Sequence, residues 1–143
     1  LPKINTETED IVSRVAKLVR TALKLPVDKL IEIPIAVAFS KIDALDVLLD
    51  SSSSLFSSGK QEGYYNLSDS NNVNTEIENL MAEWVGFHLI QEVKHNFKNY
   101  SFFGLSALGS NPHGSNKISK LRPLRVEDPF LWLLFKNNII NGK

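Results

Sequence analysis

Two short polar stretches carry residue types from which a recognition site can be built: Ser40-Lys41-Ile42-Asp43 and Ser106-Ala107-Leu108-Gly109. The first offers a carboxylate, an ammonium on a long apolar stem and a hydroxyl. The second offers a hydroxyl among small residues, where a main chain can come close to a ligand. An ionised carboxylate accepts two adjacent N–H donors at once, in a charge-assisted bidentate pair. A lysine stem can lie along a flat apolar surface while its ammonium stays polar. Such groups suit the edge and faces of a planar heterocycle.

The elements around these stretches must position them. Residues 6–25 read as an amphipathic helix, with Thr6 and Glu9 in the spacing of a capping box and Pro26 as its stop. Ile11, Val15, Leu18, Val19, Ala22 and Leu23 recur at helical spacing, with Arg14, Lys17, Arg20 and Lys24 opposite. Residues 31–39 are apolar on both alternating faces, as in a covered parallel strand, although Pro34 either moves regular pairing to about residue 35 or marks this part as an edge. Residues 43–50 read as a short helix or turn. The Ser-rich, polar residues 50–74 read as an exposed mobile loop, pinned at Tyr64 and Tyr65. Thr75 and Glu78 form a second capping-box signature for one helix reaching about Phe97. Residues 100–105 read as a second strand and 109–120 as a loop. Asp128-Pro129 opens a last apolar helix with Asp128 as its N-cap.

The order helix, strand, helix, strand, helix predicts an α/β fold, a three-layer parallel sheet with helices on both faces. Ligands of such sheets sit outside the carboxyl ends of the strands, and both polar stretches lie at such ends. A guanine base presents a ring N–H and an exocyclic amine side by side, which Asp43 can accept together. Lys41 can cover one face and Leu108 the other. Ser106 can orient the Asp43 carboxylate, and the Ala107 N–H can meet the guanine carbonyl.

Ser40-Lys41-Ile42-Asp43 resembles the Asn/Thr-Lys-x-Asp base-specificity motif of the P-loop GTPases, and Ser106-Ala107-Leu108-Gly109 resembles their second guanine motif. The resemblance implies the C-terminal half of a TRAFAC-type GTPase domain over residues 1–143, with Ser40, Lys41, Asp43, Ser106, Ala107 and Leu108 binding guanine. The stretch from Arg125 to Leu134 is similar to the tail of a bacterial double-GTPase-like group. By the same resemblance an intact domain would bind GTP or GDP with magnesium. The chain contains no Gly-x-x-x-x-Gly-Lys-Ser/Thr phosphate loop and no Asp-x-x-Gly after a strand. The expectation is therefore base recognition without hydrolysis by this segment alone. The other expectation is a degenerate GTPase-like interaction or scaffold module that binds no nucleotide. Ser40, where the family commonly has Asn, reaches less far and favours weaker binding.

Composition narrows the remaining classes. Lys plus Arg equals Asp plus Glu, 16 against 16, so the basic excess of a nucleic-acid binder is absent. There are no cysteines for disulfides, thiolate zinc sites or thiol nucleophiles. No apolar run has the length of a membrane span, and no basic-then-apolar leader is visible. A cytoplasmic protein is expected. The beginning at Leu1-Pro2-Lys3 reads as a piece of a longer chain. Its expected partners are guanine nucleotide and either a missing N-terminal half or a second copy, with no cofactor held by this segment.

Each singled-out residue also has a plain structural use. Asp43 can cap a helix beginning near Ala44, Lys41 can be a surface lysine, and Ser106 and Gly109 can be turn residues. Glu92 and His95 have the spacing of a metal pair on one helix but no partner motif. His88 sits on the apolar face as a core or boundary residue, and His113 lies in a Gly-rich loop. No Gly-x-Ser-x-Gly elbow accompanies them.

Overall fold

The computed structural model describes residues 7–45, 49–50, 52–57, 63–84, 86–109 and 121–143. The capping box at Thr6, His113, the loop at 110–120 and part of the 43–50 turn lie outside them. Among the described residues the order is α1 (Glu7–Leu23), β1 (Ile35–Phe39), a 3-10 turn (Ile42–Leu45), α2 (Leu67–Trp84), α3 (Phe87–Asn96), β2 (Tyr100–Gly104) and α4 (Asp128–Lys136). The fold is mixed helix and strand, with β1 and β2 paired in a small parallel sheet. The chain divides into two units, Leu1–Ile35 with Glu78–Ser101 and Ala36–Ile77 with Phe102–Lys143.

In the first unit α1 packs on α3. The buried residues of α1 are Val12 and Ala16, whereas Ile11, Val15 and Leu18, expected on the inner face, are exposed. The helix closes with two bonds, Leu25 N–H to the Arg20 carbonyl at 2.9 Å and Lys24 N–H to the Thr21 carbonyl at 3.3 Å. That closure places the residue between in left-handed backbone, and Lys24 has φ 53°. Parallel pairing begins at an isolated bridge, Ile31 with Phe97, before β1 proper. Pro34 has no N–H to give, and the ladder resumes where Ile35 donates to Asn99 at 2.9 Å. The 31–39 strand is therefore cut to five residues, as the proline requires. Its faces are not both covered: Ala38 is exposed and its neighbours are half-buried.

The expected single helix from Thr75 to Phe97 is two helices. Gly86, with φ 92°, separates them in a conformation that side chains rarely adopt. Nor do residues 50–74 form one open loop, because α2 begins at Leu67. Asn66 caps it, its Oδ1 accepting the Asp69 N–H at 3.0 Å. Ser70, Val73 and Ile77 are buried on one side of it. A helical face was thus hidden among Ser, Asn and Asp residues. Thr75 and Glu78 fall inside the helix, where Glu78 pairs with Lys94. His88 is exposed on α3, contrary to its expected place on the apolar face.

The core of the second unit is aromatic. Tyr65, Phe103 and Trp132 are buried together, with Phe135 and Leu131 packed against them. Phe103 meets Trp132 edge-on, with centroids 5.9 Å apart. Each such buried ring contributes about 1.5–3 kcal/mol. Asp128 is the first residue of α4, not its cap: Glu127 holds the cap position without a side-chain bond. The Asp128 carboxylate turns instead to Arg125, at 2.8 Å. Asn74 of α2 protects the free edge of β2, its Oδ1 accepting the Phe102 N–H at 2.7 Å.

Candidate functional site

The two loops that follow β1 and β2 are tied at their base. Leu105 donates its N–H to the Phe39 carbonyl at 2.9 Å and accepts the Ile42 N–H at 3.2 Å. Parallel pairing thus continues one step past the strand ends. Lys41 makes the turn with φ 64°, and Ile42 drops into the core at 1% exposure. Gly104 leaves the space this requires. A Cβ there would lie 3.0 Å from the Ile42 side chain and 2.6 Å from that of Ile77.

The second loop has its own brace. Ser106 and Leu124 exchange both backbone hydrogen bonds, at 3.0 and 2.8 Å. Arg122 N–H donates to the Leu108 carbonyl at 3.1 Å. Gly109 N–H donates to Ser106 Oγ at 2.9 Å. Gly109 itself has φ 69°, and a Cβ on it would overlap the Arg122 carbonyl oxygen.

Between these loops lies a pocket of about 450 Å³, lined by Ser40, Lys41, Asp43, Ala44, Leu105, Ser106, Ala107 and Leu108. All six residues singled out in the sequence line it. Its size is within the range of small-molecule sites. Asp43 is 9% exposed and lies in the first turn of the 3-10 segment, not before it. Among the described residues no donor bonds its carboxylate. The backbone N–H groups of Ala107 and Leu108 likewise have no acceptor among the described residues. A residue with a carboxylate acceptor and residues with unpartnered main-chain donors therefore line one concave surface, together with Lys41 and Leu108.

One expected contact is different. Ser106 was to orient Asp43, but its buried hydroxyl oxygen instead receives Gly109 N–H and shapes its own loop. The sequence reading missed Ala44, Leu105, Arg122 and Leu124. Leu105 was legible in principle, because the residue after a parallel strand is placed to pair with its neighbour's exit. Arg122 and Leu124 carry no such signal.

Asp43 is the carboxylate residue among the pocket's lining. No group of three or more His, Asp and Glu suited to a metal occurs among the described residues. Glu92 is engaged elsewhere, accepting Ser13 Oγ at 2.8 Å. No helix among the described residues is long and apolar enough to cross a membrane.

A second polar centre in the same unit was read from sequence only as part of a tail motif. Arg125 is buried and bidentate to Asp69, with both N–O distances 2.8 Å, and also reaches Asp128 and the Ser54 carbonyl. Burial pushes the Asp128 carboxyl up despite the guanidinium beside it. Arg125 ties the 52–57 segment to α2 and α4, which is a structural task.

Comparison with known proteins yields no match to this chain, whether by protein family, by curated sequence or by solved structure.

Proposed function

We propose that the pocket after β1 and β2 binds the base of a guanine nucleotide, GTP or GDP. What supports the reading is that Asp43 and Ala107 line one pocket, and that neither the Asp43 carboxylate nor the Ala107 N–H has a partner among the described residues. Guanine presents two donors to the first and a carbonyl to the second; adenine offers neither. The parallel pairing of β1 and β2 agrees with a GTPase-like three-layer sheet of which these two strands would form part. A phosphate loop and magnesium would come from outside these residues, so hydrolysis is not assigned to them. A cytoplasmic location, where such nucleotides are abundant, goes with the proposal.

The test is an amide-shift titration of this chain with guanosine 5′-monophosphate and its adenosine counterpart. Base contacts alone predict a dissociation constant on the order of millimolar. Guanosine-specific shifts at residues 40–44 and 105–109 are expected. Equal response to both nucleotides would overturn the assignment.

A second reading rests on α1. Ile11, Val15 and Leu18 form an exposed apolar stripe, with Leu18 at 70% exposure. Such a stripe favours an interaction or scaffold module covered by another surface, either a second copy or the remainder of a GTPase-like domain. Concentration-dependent light scattering of this chain, with and without Leu18→Lys, separates self-association from its absence.

A further inference from the structure

A second cavity, of about 550 Å³, lies in the first unit along α1, α3 and the turn after α1. Lys17 and Arg20, about one turn apart on α1, and Lys24, in the turn that closes the helix, line it. Glu92 is the acidic residue among its lining, and it is already held by neutral donors, Ser13 Oγ at 2.8 Å and Asn96 Nδ2 at 3.4 Å. Among the described residues none of the three cations has a carboxylate partner. Arg20 is fixed by oxygens that do not cancel its charge. Its Nη1 donates to the Pro26 carbonyl at 2.7 Å and to that of Lys29, and its Nη2 to Asn96 Oδ1 at 3.4 Å. The Nε–H and the second Nη2–H are left to offer.

We propose that this cavity binds a phosphate-type anion, with Arg20 as a pre-oriented fork and Lys17 and Lys24 as closing donors. A guanidinium held in place loses little freedom on binding and matches phosphate geometry two bonds at a time. Three cations against one carboxylate leave the wall with an excess of positive charge, which concentrates anions. Lys24 also occupies left-handed backbone, where glycine is the favoured residue. That separates two roles of one position. Lys24→Gly relieves the backbone while removing a cation.

The experiment is an amide-shift titration of the whole chain with inorganic phosphate against chloride at matched ionic strength, with a parallel sedimentation assay on phosphatidylcholine vesicles with and without phosphatidic acid. Saturable shifts centred on residues 17–24 and 92–96, separate from the 40–44 and 105–109 loops, are expected. Lys17→Gln and Lys24→Gly should each weaken phosphate binding roughly tenfold or more, the worth of one charged hydrogen bond. Lys24→Gly should do so with an unfolding temperature equal to or above that of the parent, which excludes misfolding as the cause. Vesicle capture that depends on phosphatidic acid and on both lysines assigns a lipid headgroup. Phosphate binding without capture assigns a soluble ligand. Shifts matched by chloride, shifts unchanged in both variants, or no saturable response to phosphate or vesicles would each overturn the proposal.

Discussion

Ile42 donates its backbone N–H to the Leu105 carbonyl at 3.2 Å, and Leu105 donates its own to Phe39 at 2.9 Å. One residue at the exit of β2 thus grips both sides of the exit of β1. Asp43 follows directly after one end of this clasp and Ser106 directly after the other. Side chains far apart in sequence are thereby set in one pocket by main-chain bonds, which do not depend on the identity of the residues that form them. This is why the two polar stretches converge although some sixty residues separate them in the chain.

Gly109 is the point where the second loop is least tolerant. Gly109→Ala should cost more than about 1 kcal/mol, because alanine at that positive φ meets the Arg122 carbonyl. Hydrogen exchange should rise at Ser106 and Leu124, whose mutual bonds brace the loop, with less effect on the N–H bonds of α3. Unchanged exchange at Ser106 would show that the brace does not depend on this glycine.

Arg125 should dominate stability away from the pocket. Arg125→Met leaves the buried Asp128 and the half-buried Asp69 without their cation, which costs about 3–5 kcal/mol. Arg125→Lys should rescue little, since an ammonium cannot reproduce the bidentate fork on Asp69. Chemical denaturation reads both. A lysine variant as stable as the parent would refute the geometric argument.

Tyr65 predicts the alkaline limit. Burial pushes its phenol up to about 12 from its usual value of 10, with the Ser70 hydroxyl 2.5 Å away. The unfolded chain therefore loses this proton first, and the folded state binds more protons between those values. Stability is full below pH 10 and falls as pH rises towards 12, on the order of 1 kcal/mol. Lys94, raised by its hydrogen bond to Glu78, acts in the same direction but is worth little at the surface. Tyr65→Phe should flatten the slope between pH 10 and 12 in urea unfolding curves, and an unaltered slope would assign it to other groups.

Much of this was legible before any coordinates. Pro34 allowed either a start of pairing near residue 35 or an edge, because a residue without an N–H interrupts a ladder, and the first is what β1 does. The two loop motifs announced themselves by polar residues directly after apolar runs. The N-terminus of α2 was not legible. Its buried face consists of Ser70 and Val73 before Ile77, so hydrophobic periodicity is silent there, and the capping-box pattern at Thr75 drew attention to the wrong residue. The split at Gly86 was a weak signal, since one glycine inside an apolar pattern is often tolerated. The tie from Arg125 to Asp69 was not legible at all. It joins distant residues through side-chain geometry that no local spacing encodes.

The account turns on Asp43 reading paired donors on a base. Asp43→Asn replaces one acceptor oxygen by a donor, and xanthine presents an oxygen where guanine presents its amine. Titrating both forms of the chain with guanosine and xanthosine monophosphates should show the parent preferring guanosine and the variant reversing that order, each by roughly tenfold or more. An unchanged preference in the variant, with the Phe103 and Trp132 core signals intact, would contradict the central claim.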